Sequence, residues 1–173
     1  MAQYAYIGKG IITLQKGSDD PVDIGNVSAL SINITEEKKE LKNFRTAGGG
    51  TYASVSSIES AGVTMTLHDL SPENLAMVLF GTYTEDVTGT HVIEALTTGA
   101  QEFKMEFKGL NEVTTGQKVD VLIHRCKIGA TAGLDMIGDD FAALEVEGEI
   151  LMDTTITTPG KSQFFTVTIT DAE

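Results

Sequence analysis

The feature that most constrains the fold is an alternation of apolar and polar residues that recurs along most of the chain. In VSALSINIT, Leu30, Ile32 and Ile34 alternate with small polar residues, and GVTMTLH, EFKMEFKG and FFTVTIT repeat the pattern. Successive side chains of a β-strand point to opposite faces of a sheet, so each segment predicts a strand with one buried and one wet face. IITLQ, KVDVLIHRCKI and FAALEVEGEILM predict further strands. Because each sheet must bury its apolar face, the sequence predicts a mainly β protein, an antiparallel β-sandwich or partly closed barrel.

One segment departs from this pattern and predicts a short flanking α-helix over residues 71–80, within TLHDLSPENLAMVLFG. A serine suited to the N-cap precedes a proline at the first helical position and a glutamate in the first turn, where the helix dipole favours an anion. Two leucines follow at helical spacing, and a glycine is placed to adopt the left-handed backbone that ends many helices. These residues are Ser71, Pro72, Glu73, Leu75, Leu79 and Gly81. A helix this short depends on packing, so we expect it to lie against the sheet.

A long loop is expected between the strands that end near Thr35 and begin near Ile58. Residues 36–57 lose the alternation, and the consecutive glycines in GGG predict a flexible tip. Loops longer than about 15 residues are uncommon in compact domains and usually have a function or stay disordered. Phenylalanine, arginine and tyrosine flank the glycines, and these residue types are enriched in protein interfaces. Two interpretations remain open: a mobile surface hairpin, or an arm that becomes ordered against a partner.

Size and charge restrict the class of protein. The 173 residues, 41% of them hydrophobic, suit a single domain with one core. The 12 basic and 25 acidic residues give a net charge of −13, which repels phosphate and argues against nucleic-acid binding. The single cysteine, Cys126, cannot form an internal disulfide. The longest apolar run, LAMVLF, is far shorter than the roughly 20 residues that cross a bilayer, so we expect a soluble chain that is not exported.

No enzyme signature emerges from the candidate catalytic residues. GKG and GGGTYAS are glycine-rich but lack the residue order and the strand-to-helix context of a phosphate loop. His68 and Asp69 have no ligand-like spacing to His91 or His124, so a capping or core role for His68 is favoured. His124 and Cys126 share a strand face, but no residue is placed to orient a nucleophile. DMIGDDF has the wrong ligand intervals for a calcium loop and predicts a solvated turn. We therefore expect no catalysis, no cofactor and no metal.

The segment ELKNFRTAGGGTYASVSSIESAGVTMTLHDLSPENLAMVLFG, residues 40–81, resembles the tail tube proteins (major tail proteins) of long-tailed bacteriophages of the siphophage type. In the N-terminal half of those proteins a charged stretch, a GGG loop, a strand and an SPENLA helix occur in this order. The resemblance implies one tail-tube domain over residues 1–173, similar in fold to the tube protein of type VI secretion. It also implies hexameric rings that stack into the hollow tube through which phage DNA is ejected.

The resemblance gives the loop and the helix a place in such an assembly. The flanking helix is expected on the outer part of the sandwich, and the flexible loop at 36–57 is expected to reach the neighbouring ring. The inter-ring contacts would then come from Phe44, Arg45, Gly48, Gly49, Gly50, Thr51 and Tyr52. A loop that becomes ordered only on binding would leave subunits soluble until a partner surface is present.

A lumen that conducts DNA should not hold phosphate, so an acidic wall is expected to favour passage. The best candidates for the lumen wall are polar side chains on strands whose other face is apolar. They are Ser31, Asn33, Thr35, Asp120, Glu145, Glu147 and Glu149. The alternative is that these glutamates face bulk solvent outside the ring.

The resemblance also implies the partners and the location. The partners would be further copies of the chain, the tail tip and tail terminator proteins and the tape measure protein, with DNA as an unbound passenger and no membrane. The chain would assemble in the host cytoplasm and reside in the tail of the virion. Two other classes stay open: a β-sandwich module that binds carbohydrate or a cell surface, and a small β-barrel enzyme. The absence of tryptophan and the 6% aromatic content disfavour the binding module.

Overall fold

The computed structural model describes residues 4–172, and in them the chain forms a mainly β fold with antiparallel sheets, as the sequence predicts. The strands and the helix are β1 (Gly8–Gln15), β2 (Val22–Asp23), β3 (Val27–Lys42), β4 (Thr51–Leu67), α1 (Pro72–Val78), β5 (Thr82–Glu85), β6 (His91–Glu94), β7 (Glu102–Asn111), β8 (Lys118–Thr131), β9 (Leu144–Ile150) and β10 (Phe165–Thr170). No helix within residues 4–172 has the length and apolar content needed to cross a membrane.

One large sheet carries the fold. Its strand order is β2-β1-β7-β8-β9-β4-β3, and β10 pairs with the first half of β8, whose second half pairs with β9. Strands β5 and β6 form a separate hairpin. The core joins buried residues from strands far apart in this order, including Ile12 of β1, Met65 of β4 and Val146 of β9. The sheet is therefore curled around one core, as in a partly closed barrel.

The alternation of the sequence matches the burial where one face of a strand is covered. In β4, Ala61, Val63, Met65 and Leu67 are buried, while the residues between them are half-buried. Strand β9 alternates in the same way, with its glutamates exposed. The period of two arises because the core covers only one side of the sheet.

The helix begins as predicted but is shorter, and it ends differently. The Oγ atom of Ser71 accepts a hydrogen bond from the backbone N–H of Asn74 at 3.1 Å, which makes Ser71 the N-cap. The prediction that Gly81 adopts the left-handed backbone is wrong, because Phe80 takes it with φ 51°. The Gly81 N–H donates to the carbonyl of Ala76 at 2.7 Å, which closes the last turn. Glycine is needed there for space, since a Cβ would lie 2.5 Å from the carbonyl oxygen of Glu94.

Packing of the helix also involves a residue that the periodicity does not identify. Val78 is fully buried, whereas Leu75 and Leu79 are only half-buried against the core. Asn74 is buried, and its Nδ2 donates to the carbonyls of Ile24 and Asp69, both at 2.9 Å. These two bonds hold the start of the helix against the connections that precede β3 and α1.

The long loop expected over 36–57 is not a loop for most of its length. Strands β3 and β4 stay paired as far as Lys42 and Thr51, so strands cover 36–42 and 51–57 and leave only the tip, residues 43–50. The alternation disappears there because neither face of this two-stranded ribbon is buried, while the backbone pairing does not depend on side-chain type. The three glycines of the tip all have positive φ, between 68° and 110°.

Candidate functional site

The hairpin formed by residues 36–58, here called the arm, extends beyond the body of the protein. Every residue of the arm is exposed except Asn43, which is half-buried. Seven paired residues on each side give a ribbon about 20 Å long at the usual rise per residue. A two-stranded ribbon without a covered face is marginally stable in water, so the arm is a candidate for packing against another chain.

One face of the arm carries a small apolar surface. Leu41 pairs with Ala53 and Lys39 with Val55, so these four side chains share one face. The three apolar ones, Leu41, Ala53 and Val55, are here called the apolar stripe. They line a shallow depression of about 450 Å³ that has no covering element within the described residues. Contiguous exposed apolar surface is a common feature of interaction sites.

The structure gathers the predicted contact residues at the far end of the arm. Phe44 and Tyr52 are 85% and 64% exposed. The tip is shaped by Asn43, whose Oδ1 accepts from the N–H of Arg45 at 2.9 Å and whose Nδ2 donates to Thr46 Oγ1 at 3.0 Å. The predicted contact residues in 44–52 all lie in the tip or at the start of β4. Their contact with another ring remains a prediction.

The arm differs in charge from the rest of the chain. It contains four basic and three acidic residues, a net charge of +1 in a chain of −13. Lys38 and Lys42 lie 2.7 and 3.4 Å from the carboxylate of Glu40 and lower the pKa of that group. These pairs are exposed, so they add little stability. Arg45 forms no ion pair with any described residue.

Six of the seven predicted lumen residues share one exposed face, here called the polar face. It consists of Ser31, Asn33 and Thr35 of β3 and Glu145, Glu147 and Glu149 of β9, with Thr64 and Thr66 of β4 between them. In one row across the sheet, Ser31 pairs with Thr64 and Thr64 with Glu147. None of the three glutamates forms an ion pair with a described residue. Alternate positions on β9 place them about 7 Å apart, so the face is strongly anionic.

Asp120 does not belong to the polar face. It lies in the first half of β8 and pairs with Lys108 and Thr168, whereas β9 pairs with the second half of β8. The sequence correctly places Asp120 on a strand next to β9. It does not show that β8 pairs with β10 along its first half and with β9 along its second half. A lumen-facing position for Asp120 stays a prediction.

Three strands of the large sheet, β2, β3 and β10, each pair on one side only, and apolar residues are uncovered at β3 and β10. Strand β3 pairs only with β4, and β10 pairs only with β8. Ile34 on β3 and Val167 and Ile169 on β10 are exposed, although they continue the core-facing rows of their strands. A groove of about 300 Å³ runs between β1, β3 and β8. Open edges offer backbone groups for pairing with another chain.

The connection between β8 and β9, residues 132–143, is a second exposed apolar feature, here called the acidic loop. Met136, Ile137 and Phe141 are 78%, 98% and 95% exposed. Asp135, Asp139 and Asp140 lie between and beside them, and the loop contains no basic residue. The sequence predicts a solvated turn there, and the segment is solvated. The sequence pattern does not identify these apolar side chains, because they follow neither a strand nor a helix period.

The histidines and the cysteine have structural environments. The Nε2 atom of His68 lies 2.8 Å from Ser28 Oγ, and the neighbouring Asp69 accepts the N–H of Asn26 at 2.8 Å. Cys126 is buried, its Sγ donates to the carbonyl of Phe103 at 3.4 Å, and burial raises the pKa of the thiol to about 12. No three potential metal ligands cluster in the part of the chain that the structure describes.

These surfaces belong to a mainly β protein with antiparallel sheets. The chain belongs to the family described as Protein of unknown function UCP028589, whose model matches residues 5–100 and 86–168. No curated protein matches the chain significantly. Among solved structures, the chain is similar to one from the cryo-EM structure of the anti-feeding prophage (AFP) baseplate, 6-fold symmetrised. The two are 14% identical over 100% of this chain and 99% of the other, with a TM-score of 0.43, which does not establish a common fold.

Proposed function

We propose that this chain is a structural protein of a phage-type tail, whose copies form hexameric rings that stack into a hollow tube for DNA ejection. The observation that carries the proposal is the arm, a ribbon with both faces exposed and with aromatic side chains at its tip. Such a ribbon gains stability only by packing on something else. The resemblance of residues 40–81 to tail tube proteins covers the outer part of this arm and the flanking helix.

Ring closure is supported by the open edges of the large sheet. Strands β3 and β10 are edges of one curled sheet, and the apolar residues Ile34, Val167 and Ile169 are uncovered beside them. When the β3 edge of one copy pairs with the β10 edge of the next copy, every contact is heterologous, and such contacts form a ring where the rotation between copies closes. Pairing would also cover the apolar residues at both edges.

Passage of DNA is supported by the polar face. Its three glutamates outnumber the cation beside it, Lys127 of β8, which lies opposite Glu149 in the sheet. A wall with this excess of negative charge repels the DNA backbone. We therefore assign the polar face to the lumen and propose that DNA passes without binding.

The remaining roles follow from this assignment. The chain acts without catalysis, cofactor or metal, and its first partners are further copies of itself. Tail tip, tail terminator and tape measure proteins would contact the two ends and the bore of the tube. Assembly would take place in the host cytoplasm, and the product would be part of the virion tail.

Native mass spectrometry and negative-stain electron microscopy of the purified chain over a concentration series test the proposal. We expect a species of six times the 18.4 kDa chain mass, and hollow tubes at the highest concentrations or after addition of purified tail tips. Closed oligomers of another order, or a monomer that does not extend a tail tip, would contradict it. A monomer that binds a glycan would instead favour the binding-module class.

A further inference from the structure

The arm and the acidic loop lie at opposite ends of the same strands. Strand β4 begins in the arm and ends at Leu67, and Leu67 pairs with Leu144, the first residue after the acidic loop. Val55 and Leu67 are twelve residues apart on one strand, which corresponds to about 40 Å. The two features therefore cannot meet within one chain, but they can meet between copies arranged head to tail.

The two surfaces match in polarity. The apolar stripe of the arm is an open depression, and the acidic loop presents three projecting apolar side chains. Neither is covered by any described residue of the same chain. Contact between them would remove both from water, which is the dominant favourable term in association.

The two surfaces also match in charge. The acidic loop has three aspartates and no basic residue, and no lysine or arginine occurs anywhere from residue 128 to residue 160. The arm has a net charge of +1, and Arg45 at the tip has no ion-pair partner among the described residues. Lys39 lies on the face of the apolar stripe, where it is paired with Glu37 at 3.5 Å. Complementary charge around an apolar centre gives an interface its specificity and its register.

We propose that the apolar stripe of the arm binds the acidic loop of a second copy of this chain, so that copies add head to tail along the direction of β4. The contact rests on the proposed function, because it names the surface that receives the arm in the next ring. It is heterologous, and a heterologous contact that does not close generates an open filament. The partner is a second copy of this chain because the chain carries both the apolar stripe and the acidic loop.

Cysteine cross-linking tests the contact directly. A Val55→Cys chain and an Ile137→Cys chain, carrying different tags, are mixed and oxidised. The native Cys126 is buried with a raised thiol pKa, so it does not compete under folded conditions. A Val55→Cys chain mixed with a Val87→Cys chain is the matched control, since Val87 is fully exposed in the unrelated β5–β6 turn.

We expect the mixed disulfide between positions 55 and 137 to form at least about tenfold faster than the control disulfide, because contact raises the effective concentration of the two thiols. Equal rates would overturn the proposal, even when tubes are seen by microscopy. A fast 55–137 disulfide in a preparation without hexamers would support the head-to-tail contact and refute the ring. The two proposals can therefore fail separately.

Charge reversal provides an independent test on the same contact. Asp139→Lys with Asp140→Lys in the loop, or Lys39→Glu with Arg45→Glu in the arm, should each raise the concentration needed for stacking by about tenfold or more. The four changes together should restore stacking, and failure of this rescue would overturn direct pairing. Asp19→Lys with Asp20→Lys, an adjacent exposed pair in the turn after β1, is the matched control and should stack as the wild type does.

Discussion

Removal of the tip of the arm should abolish stacking and leave the domain folded. Deletion of residues 44–49 joins Asn43 directly to Gly50, and the flanking residues Lys42 and Thr51 are already paired. Asn-Gly is the preferred sequence for a two-residue hairpin turn, so the shortened hairpin should close without strain. All of the deleted residues are exposed, and no buried contact is lost.

The expected change in stability can be worked out from the length of the tip. Shortening the connection from the eight residues 43–50 to two lowers the entropic cost of loop closure by about 1 kcal/mol. The free energy of unfolding should therefore stay constant or rise by about that amount. Urea unfolding followed by circular dichroism measures it.

The same deletion should weaken assembly, although it leaves the stability of the domain unchanged or higher. The deletion removes Phe44, which is 85% exposed, and Arg45, so rings should form while stacking is lost. Sedimentation velocity of the variant should show a single-ring species at concentrations at which the wild type sediments as long tubes. Val87→Ser in the β5–β6 turn removes an equally exposed apolar side chain and is the control. An unfolded variant, or tubes of normal length, would refute this account of the arm.

Three further predictions concern other parts of the chain. Glu145→Lys with Glu147→Lys changes the polar face by four charges per copy, so tubes should assemble while DNA ejection slows most at low salt; normal infectivity would contradict the lumen assignment. Asn74→Ala leaves two backbone carbonyls without their buried partner and should lower the free energy of unfolding by about 2–3 kcal/mol in urea titrations, whereas Asn33→Ala on the exposed face should change it little. Because the folded thiol of Cys126 has a pKa of about 12 and the unfolded thiol one near 9.0, its contribution to stability should be present below pH 9 and decline up to pH 12, and Ellman's reagent should react only after unfolding.

Where a strand covers a core, the sequence alone predicts its position and its buried face. Met65 of β4 pairs with Val146 of β9, and both are buried. Glu147, the next residue of β9, lies on the other face of the sheet and is exposed. The same rule fails in the arm, because no core imposes a period on residues 36–57. Backbone pairing continues there without any pattern of side chains to mark it. The period of apolar residues therefore does not predict a strand that lies outside a core. The residue types at the tip still indicate a contact surface.

The remaining differences have local causes. A glycine after a helix suggests left-handed backbone, but Gly81 is required by the close approach of the β6 backbone, and Phe80 takes the positive φ. Asp120 lies apart from the polar face because the first half of β8 pairs with β10 and only its second half pairs with β9. The residue pattern of one strand does not contain this change of partner. The apolar side chains of the acidic loop follow no period, so only their exposure in the folded chain identifies them.

The position of the polar face in an assembled tube tests the central claim most directly. Helical reconstruction by cryo-electron microscopy of tubes grown from the purified chain would locate β3, β4 and β9 in the wall. The account predicts hexameric layers with Glu145, Glu147 and Glu149 on the inner surface of the bore. Tubes with these glutamates on the outer surface, or layers of another symmetry, would contradict it.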